Sequence, residues 1–412
     1  MNIYRLDTIG RILSDLPNNV FTRHNFKASQ QRSKALVDLA QESILLYPYK
    51  SVPAQWRQLL MDASILQAIT MLGLFQHSST LLELQLRDGD QDIKQRIARE
   101  TINVLDTAMI ISGAPGPQRR ETVLASIDTL QAYLSSLPSS SSSSHRLRDG
   151  FIHLPAPHTV HTTHPVNRLD KVPSFLAFVQ LLQNGQPFII PQGAIEHWPA
   201  RDKWPSLSYF VSVAGDRVVP VELGSKYTDS AWQQKMMRVE DFLREHVVLQ
   251  EEGGDDGSGQ TAYLAQHDLF YQIPKLADDI SVPDYCYCEP ELNENYKEAP
   301  VDVIQNAWFG PQGTVSPLHH DPYHNVLAQV VGSKYIRLYA PSETHCLYPY
   351  EGIMSNTSQV DVEHPDFDSF PLLKEAQFVD CTLQAGELLY MPPKWWHYVR
   401  SLETSFSVSF WF

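Results

Sequence analysis

Nowhere in this 412-residue chain does an apolar run approach the roughly 18 residues that a membrane helix needs. The first turns carry Arg5, Asp7 and Arg11 where a signal peptide would have its apolar segment, so an intracellular protein is expected. Cysteine is scarce. The four present (Cys286, Cys288, Cys346 and Cys381) form no disulfide framework and suit a reducing compartment. Cys286-x-Cys288 has half the spacing of a zinc site, but the other two cysteines stand alone, which favours plain thiols. Positive charge is also short: 32 basic against 47 acidic residues leave a net charge of -15. Such a surface repels nucleic-acid phosphates and attracts basic peptides, so the expected partner is an Arg- or Lys-containing protein or peptide rather than a nucleic acid or a membrane. No Lys/Arg-rich cluster reads as a nuclear signal, and nucleus and cytosol both fit.

From Ile3 to Leu137 the apolar residues repeat at three and four, as in Leu36, Leu39 and Ala40, then in Leu59, Leu60, Ala63 and Leu66. Pro48, Pro53 and the run Gly113-Ala114-Pro115-Gly116-Pro117 divide the stretch into helices of ordinary length. This predicts an all-α domain over residues 1–137. The serine run to Ser144 cannot build a core, so residues 138–165 are expected to be a Ser/Pro/His-rich linker, with His158, His161 and His164 exposed.

Beyond the linker the texture changes to short β-type runs, among them Phe188-Ile189-Ile190, Arg217 to Leu223 and Tyr335 to Tyr339. Val326–Val331 and Lys334–Tyr339, joined by Gly332-Ser333, predict a hairpin. The terminal Phe406–Phe412 run alternates and predicts a half-buried strand. A mainly-β domain over 166–412 follows, a sandwich or small barrel, with its core at about 262–412. The acidic, Gly-rich Glu251–Gly259 lacks the Lys and the glycine spacing of a phosphate loop and is expected to be a disordered insertion.

Within that domain lies Ser316-Pro317-Leu318-His319-His320-Asp321-Pro322, with Trp395-Trp396-His397 far downstream. On a strand, residues i and i+2 share a face, so His319 and Asp321 can grip one ion while His320 points away. Two histidines and a carboxylate on one face of an octahedral ion suit non-heme Fe(II) and leave three positions open. An H-x-D pair alone is common, and its surroundings carry the reading further. No H-E-x-x-H occurs and Asp321 favours iron over catalytic zinc. Trp395 and Trp396 are expected to be packing residues rather than a methyl-ammonium cage.

Asn306-Ala307-Trp308-Phe309-Gly310, the H-x-D segment, Asn325, Gly332-x-Lys334-Tyr335 and Pro393-Lys394-Trp395-Trp396-His397 together resemble a jumonji-C domain. The likeness runs from about Phe175 to Phe412 and is greatest to the jumonji domain-containing protein 5, or lysine-demethylase 8, group. That resemblance implies a double-stranded β-helix of the jelly-roll (cupin) type binding Fe(II), with 2-oxoglutarate and O2 as co-substrates. It makes His319, Asp321 and His397 the catalytic metal ligands, and sets Lys334 against the distal carboxylate of 2-oxoglutarate, with Tyr263, Ser316 and Asn325 as further hydrogen-bonding contacts. Trp308 then walls the pocket and Glu222 faces the substrate side chain, where acidity suits a guanidinium or ammonium. The implied activity is 2-oxoglutarate-dependent oxygenation of a protein. Arginyl hydroxylation leads, histone lysine demethylation by N-methyl hydroxylation is the alternative, and a non-catalytic binding module is disfavoured because all three ligands are intact. Proteolysis of histone tails has no Ser/His/Asp or Cys/His signature here.

Overall fold

The computed structural model describes residues 23–82, 89–137, 160–224, 232–248 and 261–412. The first helical residues, the serine run and the acidic glycine-rich stretch singled out above lie outside these ranges. The chain divides into two compact units, Met1–Ser144 with Asp216–Val218, and His145–Gly215 with Val219–Phe412.

The first unit is helical: α1 (Arg23–Leu45), α2 (Ala54–Leu82), α3 (Gly89–Ser112) and α4 (Arg119–Ser136). Val37, Ala40 and Ile44 bury one face of α1 at helical spacing, and Ile102, Leu105 and Met109 do so on α3. The breakers act where expected. Pro48 and Pro53 lie between α1 and α2, and Gly113 follows α3 at a φ of 72°, which a side chain would strain. Arg119 at the start of α4 donates to Asp62 of α2 at 2.7 Å, a pair only 2% and 4% exposed. Removing either partner would strand a buried charge, at about 3–5 kcal/mol.

The second unit contains β1 (Asn167–Arg168), β2 (Phe188–Ile190), β3 (Val218–Leu223), β4 (Gln233–Arg238), β5 (Ala262–His267), β6 (Ile304–Gly310) and β7 (Val315–His320). It continues with β8 (Asn325–Val331), β9 (Lys334–Tyr339), β10 (Phe378–Leu383), β11 (Leu388–Met391), β12 (Trp396–Ser401) and β13 (Ser405–Trp411). Nine strands form one sheet in the order β1-β2-β11-β8-β13-β6-β5-β3-β4, and four form another in the order β10-β9-β12-β7. The sheets pack face to face. Leu327 and Leu389 from the larger share one buried cluster with Ile336, Leu338 and Val399 from the smaller.

The predicted hairpin is not formed. β8 pairs with β11 and β13, whereas β9 pairs with β10 and β12, so Gly332-Ser333 carries the chain from one sheet to the other. Gly332 has a φ of 73°, and a Cβ there would lie 2.3 Å from the Thr404 carbonyl. The crossing therefore needs a glycine. The terminal strand β13 is buried along its whole length, not on one face. Its Phe406, Val408 and Phe410 meet the aromatic cluster of Trp204, Phe210 and Phe309 under the short helices Phe175–Leu182 and Leu207–Ala214, while its serines face the other way. Each fully buried large apolar side chain contributes about 1.5–3 kcal/mol.

The described part of this unit begins earlier than the expected boundary at Val166. The backbone N–H groups of Thr163 and His164 donate to the buried Asp380 carboxylate at 3.0 and 2.9 Å, and Val160 packs against the core of the smaller sheet. His161 and His164 are exposed, as expected.

Candidate metal centre and adjoining pocket

β7 and β12 are antiparallel neighbours whose register sets His319 opposite His397. Their ring centroids are 4.2 Å apart. Asp321 follows the end of β7, and its carbonyl accepts the Lys394 N–H at 2.8 Å, which ties the His319 and His397 segments together. The Asp321 carboxylate lies 4.0 Å from His319 Nε2 and 3.6 Å from His397 Nε2. His319, Asp321 and His397 are the one group of three or more His, Cys, Asp or Glu residues converging on a common point among the described residues.

Backbone carbonyls set both rings. His319 Nδ1 lies 2.7 Å from the Pro317 carbonyl and His397 Nδ1 lies 3.0 Å from that of Trp395. Each Nδ1–H donates outward, which leaves the Nε2 lone pair facing Asp321. Burial, reinforced by the neighbouring His319, pushes His397 down to about 4, so its imidazole is neutral near pH 7. A neutral imidazole is the form that binds a metal. His320 turns away and meets Trp396 edge-on with centroids 4.6 Å apart. Trp395 and Trp396 are buried, their indole N–H groups donating to the Gly185 carbonyl and the Thr344 hydroxyl.

A cavity adjoins the triad, and Tyr263, Trp308, Ser316, Asn325 and Lys334 all line it. Lys334 is 1% exposed and donates to the Tyr263 hydroxyl at 3.1 Å. Burial alone pushes its ammonium down to about 7. No carboxylate pairs with it among the described residues, so a buried cation awaits an anionic partner. Burial also raises the Tyr263 phenol well above its ordinary range, while its bond to Ser316 acts the other way. Asn325 is 4% exposed, and its side-chain carbonyl has no hydrogen-bond partner. Two imidazoles and a carboxylate facing one point, beside a lone buried ammonium, fit a divalent ion and a carboxylate-bearing ligand.

Glu222 stands apart from the cavity lining. On β3 it is the register partner of Tyr263 on β5, and it accepts the Trp232 indole N–H at 3.3 Å. Desolvation raises its carboxyl above the usual range, against the pull of Trp232. Sequence reasoning missed Ser409 and Trp232. Ser409 lines the cavity and accepts the Trp308 indole N–H at 3.0 Å. The small polar residues alternating with Phe406, Val408 and Phe410 were the available signal. Trp232, ten residues from Glu222, offered none.

Residues 175–412 match the cupin-like domain model. The chain is 37% identical to lysine-specific demethylase 8 of Danio rerio over 403 residues, covering 96% of this chain and 90% of that protein. Over 224 residues it is 50% identical to lysine-specific demethylase 8 of Xenopus tropicalis, covering 54% of this chain and 47% of the relative. It is 30% identical over 271 residues to the human bifunctional peptidase and (3S)-lysyl hydroxylase JMJD7, covering 59% and 83%.

Proposed function

As the chain belongs to the cupin-like family of jumonji-C proteins, we propose that it is an Fe(II)- and 2-oxoglutarate-dependent oxygenase that hydroxylates an arginyl residue of a protein. The observation that carries this reading is the convergence of His319, Asp321 and His397 beside the unpaired ammonium of Lys334.

His319, Asp321 and His397 would hold the iron, the two imidazole rings fixed by the Pro317 and Trp395 carbonyls. Bound there with 2-oxoglutarate, ferrous iron supplies the capacity to put one atom of O2 into a C–H bond. Lys334 would pair with the distal carboxylate of 2-oxoglutarate, Tyr263 and Ser316 extending its hydrogen bonding, and the free Asn325 carbonyl and the Ser409 hydroxyl complete the polar lining. Trp308, Leu327, Met391 and Val399 wall the cavity and exclude water.

Glu222 supports arginine. Its carboxylate is partly desolvated beside Tyr263, and a guanidinium would return the counter-charge that burial takes away. Hydroxylation at a carbon bearing no nitrogen leaves a stable alcohol. The names of the Danio and Xenopus relatives favour a second reading, removal of a lysine N-methyl group, in which the same site acts and the product falls apart to formaldehyde. Succinate formation that rises on adding arginine-containing peptides, without formaldehyde, supports the first reading. Succinate and formaldehyde released together from methyl-lysine peptides support the second.

A further inference from the structure

Beside the catalytic cavity runs a second and larger depression, about 1140 Å³ against about 340 Å³. Its walls include Asp268, Glu298 and Asp302, and its apolar surface includes Val301, Ile304 and Tyr323. No Lys, Arg or His is among the described residues lining it. Val301 is fully exposed and Ile304 partly so, and the groove presents both to solvent.

Two connections join this groove to the reaction site. Tyr323 lies two residues beyond Asp321 and meets Trp411 at 5.9 Å between ring centroids, while Trp411 pairs in register with both Ile304 and Asn325. The inward face of β6 also runs from one to the other. Trp308 lines the cavity, Ile304 lines the groove, and Asn306 lies between them. Asn306 pairs in register with Ser409, a cavity residue, so its side chain shares that face. It is 6% exposed, and its amide nitrogen has no hydrogen-bond partner.

We propose that this groove holds the polypeptide flanking the modified residue, with lysines or arginines of the flank against Glu298, Asp302 and Asp268 and its apolar side chains on Val301, Ile304 and Tyr323. The inference rests on the peptide-oxygenase reading above, since it supplies the approach to that site. The groove then serves the flank of the substrate while Glu222 serves the modified side chain. Charges on a groove wall act mainly through encounter and register, which makes the effect salt-dependent.

The test is fluorescence anisotropy on the full chain loaded with Mn(II) and 2-oxoglutarate, using two labelled peptides with a central arginine flanked by lysines or by glutamates. The wild type should bind the lysine-flanked peptide about tenfold more tightly, an advantage that shrinks as salt is added. Glu298→Lys with Asp302→Lys should lose that preference and bind the glutamate-flanked peptide more tightly than the wild type does. An unfolded variant could not show that gain. A wild type indifferent to the flank, or a double variant that keeps the wild-type preference, overturns the groove assignment. If binding follows the expected pattern and neither peptide takes up oxygen once Fe(II) and O2 replace Mn(II), the groove stands and arginyl hydroxylation fails.

Discussion

His319 and His397 face each other in register across β7 and β12, with ring centroids 4.2 Å apart and each Nδ1 held by a carbonyl two residues earlier. The strand pairing itself thus sets two of the three donors, and Asp321 completes the set from the turn that Lys394 ties down.

Removing one donor leaves two, which hold Fe(II) poorly. His319→Ala or His397→Ala should abolish metal binding, followed by calorimetry with Mn(II) or Fe(II). His320→Ala, whose ring packs on Trp396, should bind metal as the wild type does. Equal loss in all three variants would show that the ligands are wrongly assigned.

Lys334 makes two opposite pH dependences. Its folded value of about 7 lies below the ordinary 10.5, so between those values the unfolded chain holds a proton that the folded protein has released. Stability of the co-substrate-free protein should therefore rise with pH across that window. Affinity for 2-oxoglutarate should fall over the same range, because a neutral amine cannot pair with a carboxylate. Lys334→Met should flatten both profiles. Lys334→Ala should weaken 2-oxoglutarate by about 3–5 kcal/mol, as a broken buried pair does, with metal affinity intact. An unchanged titration would remove Lys334 from the co-substrate site.

Gly310 leaves room for the Tyr263 ring. An added Cβ would lie 2.7 Å from Thr314 Cγ2 and 2.9 Å from Tyr263 Cδ2. Gly310→Ala should cost about 1–3 kcal/mol through overpacking. It should also push Tyr263 off Lys334, so that thermal melting and 2-oxoglutarate affinity fall together. A lower melting temperature with full affinity would mean that Tyr263 does not shape the co-substrate pocket.

Glu222→Ala should lower kcat/KM for an arginine peptide about tenfold or more, since a charge-assisted contact in a dry site is worth about 1.5–3 kcal/mol. Metal affinity should hold, because Glu222 lies on β3, outside the group of three ligands. Peptide turnover equal to that of the wild type would assign the guanidinium another partner.

The convergence of His319, Asp321 and His397 was legible because H-x-D is a spacing that a strand converts directly into a shared face. Lys334 was legible only through its resemblance to a family, since a lysine after a Gly-Ser turn reads equally well as solvated. Pairing partners were harder. β8 and β9 are both apolar runs flanking a turn-like dipeptide, and the local signal is the same whether they pair or part. What separates them is the choice of ladder partner, β11 and β13 for β8 and β10 and β12 for β9, all of them later in the chain. The burial of the Phe406, Val408 and Phe410 face of β13 came from helices more than 190 residues earlier in the chain. Contacts closed by such distant segments leave no periodicity to read.

The most direct test is the tandem mass spectrum of an arginine-containing peptide after incubation with the protein, Fe(II), 2-oxoglutarate and isotopically heavy O2. The account predicts one heavy oxygen atom on the arginine, succinate in matching amount, and neither product with the His397→Ala variant. Loss of methyl groups from methyl-lysine peptides with formaldehyde release, and no label on arginine, would contradict it.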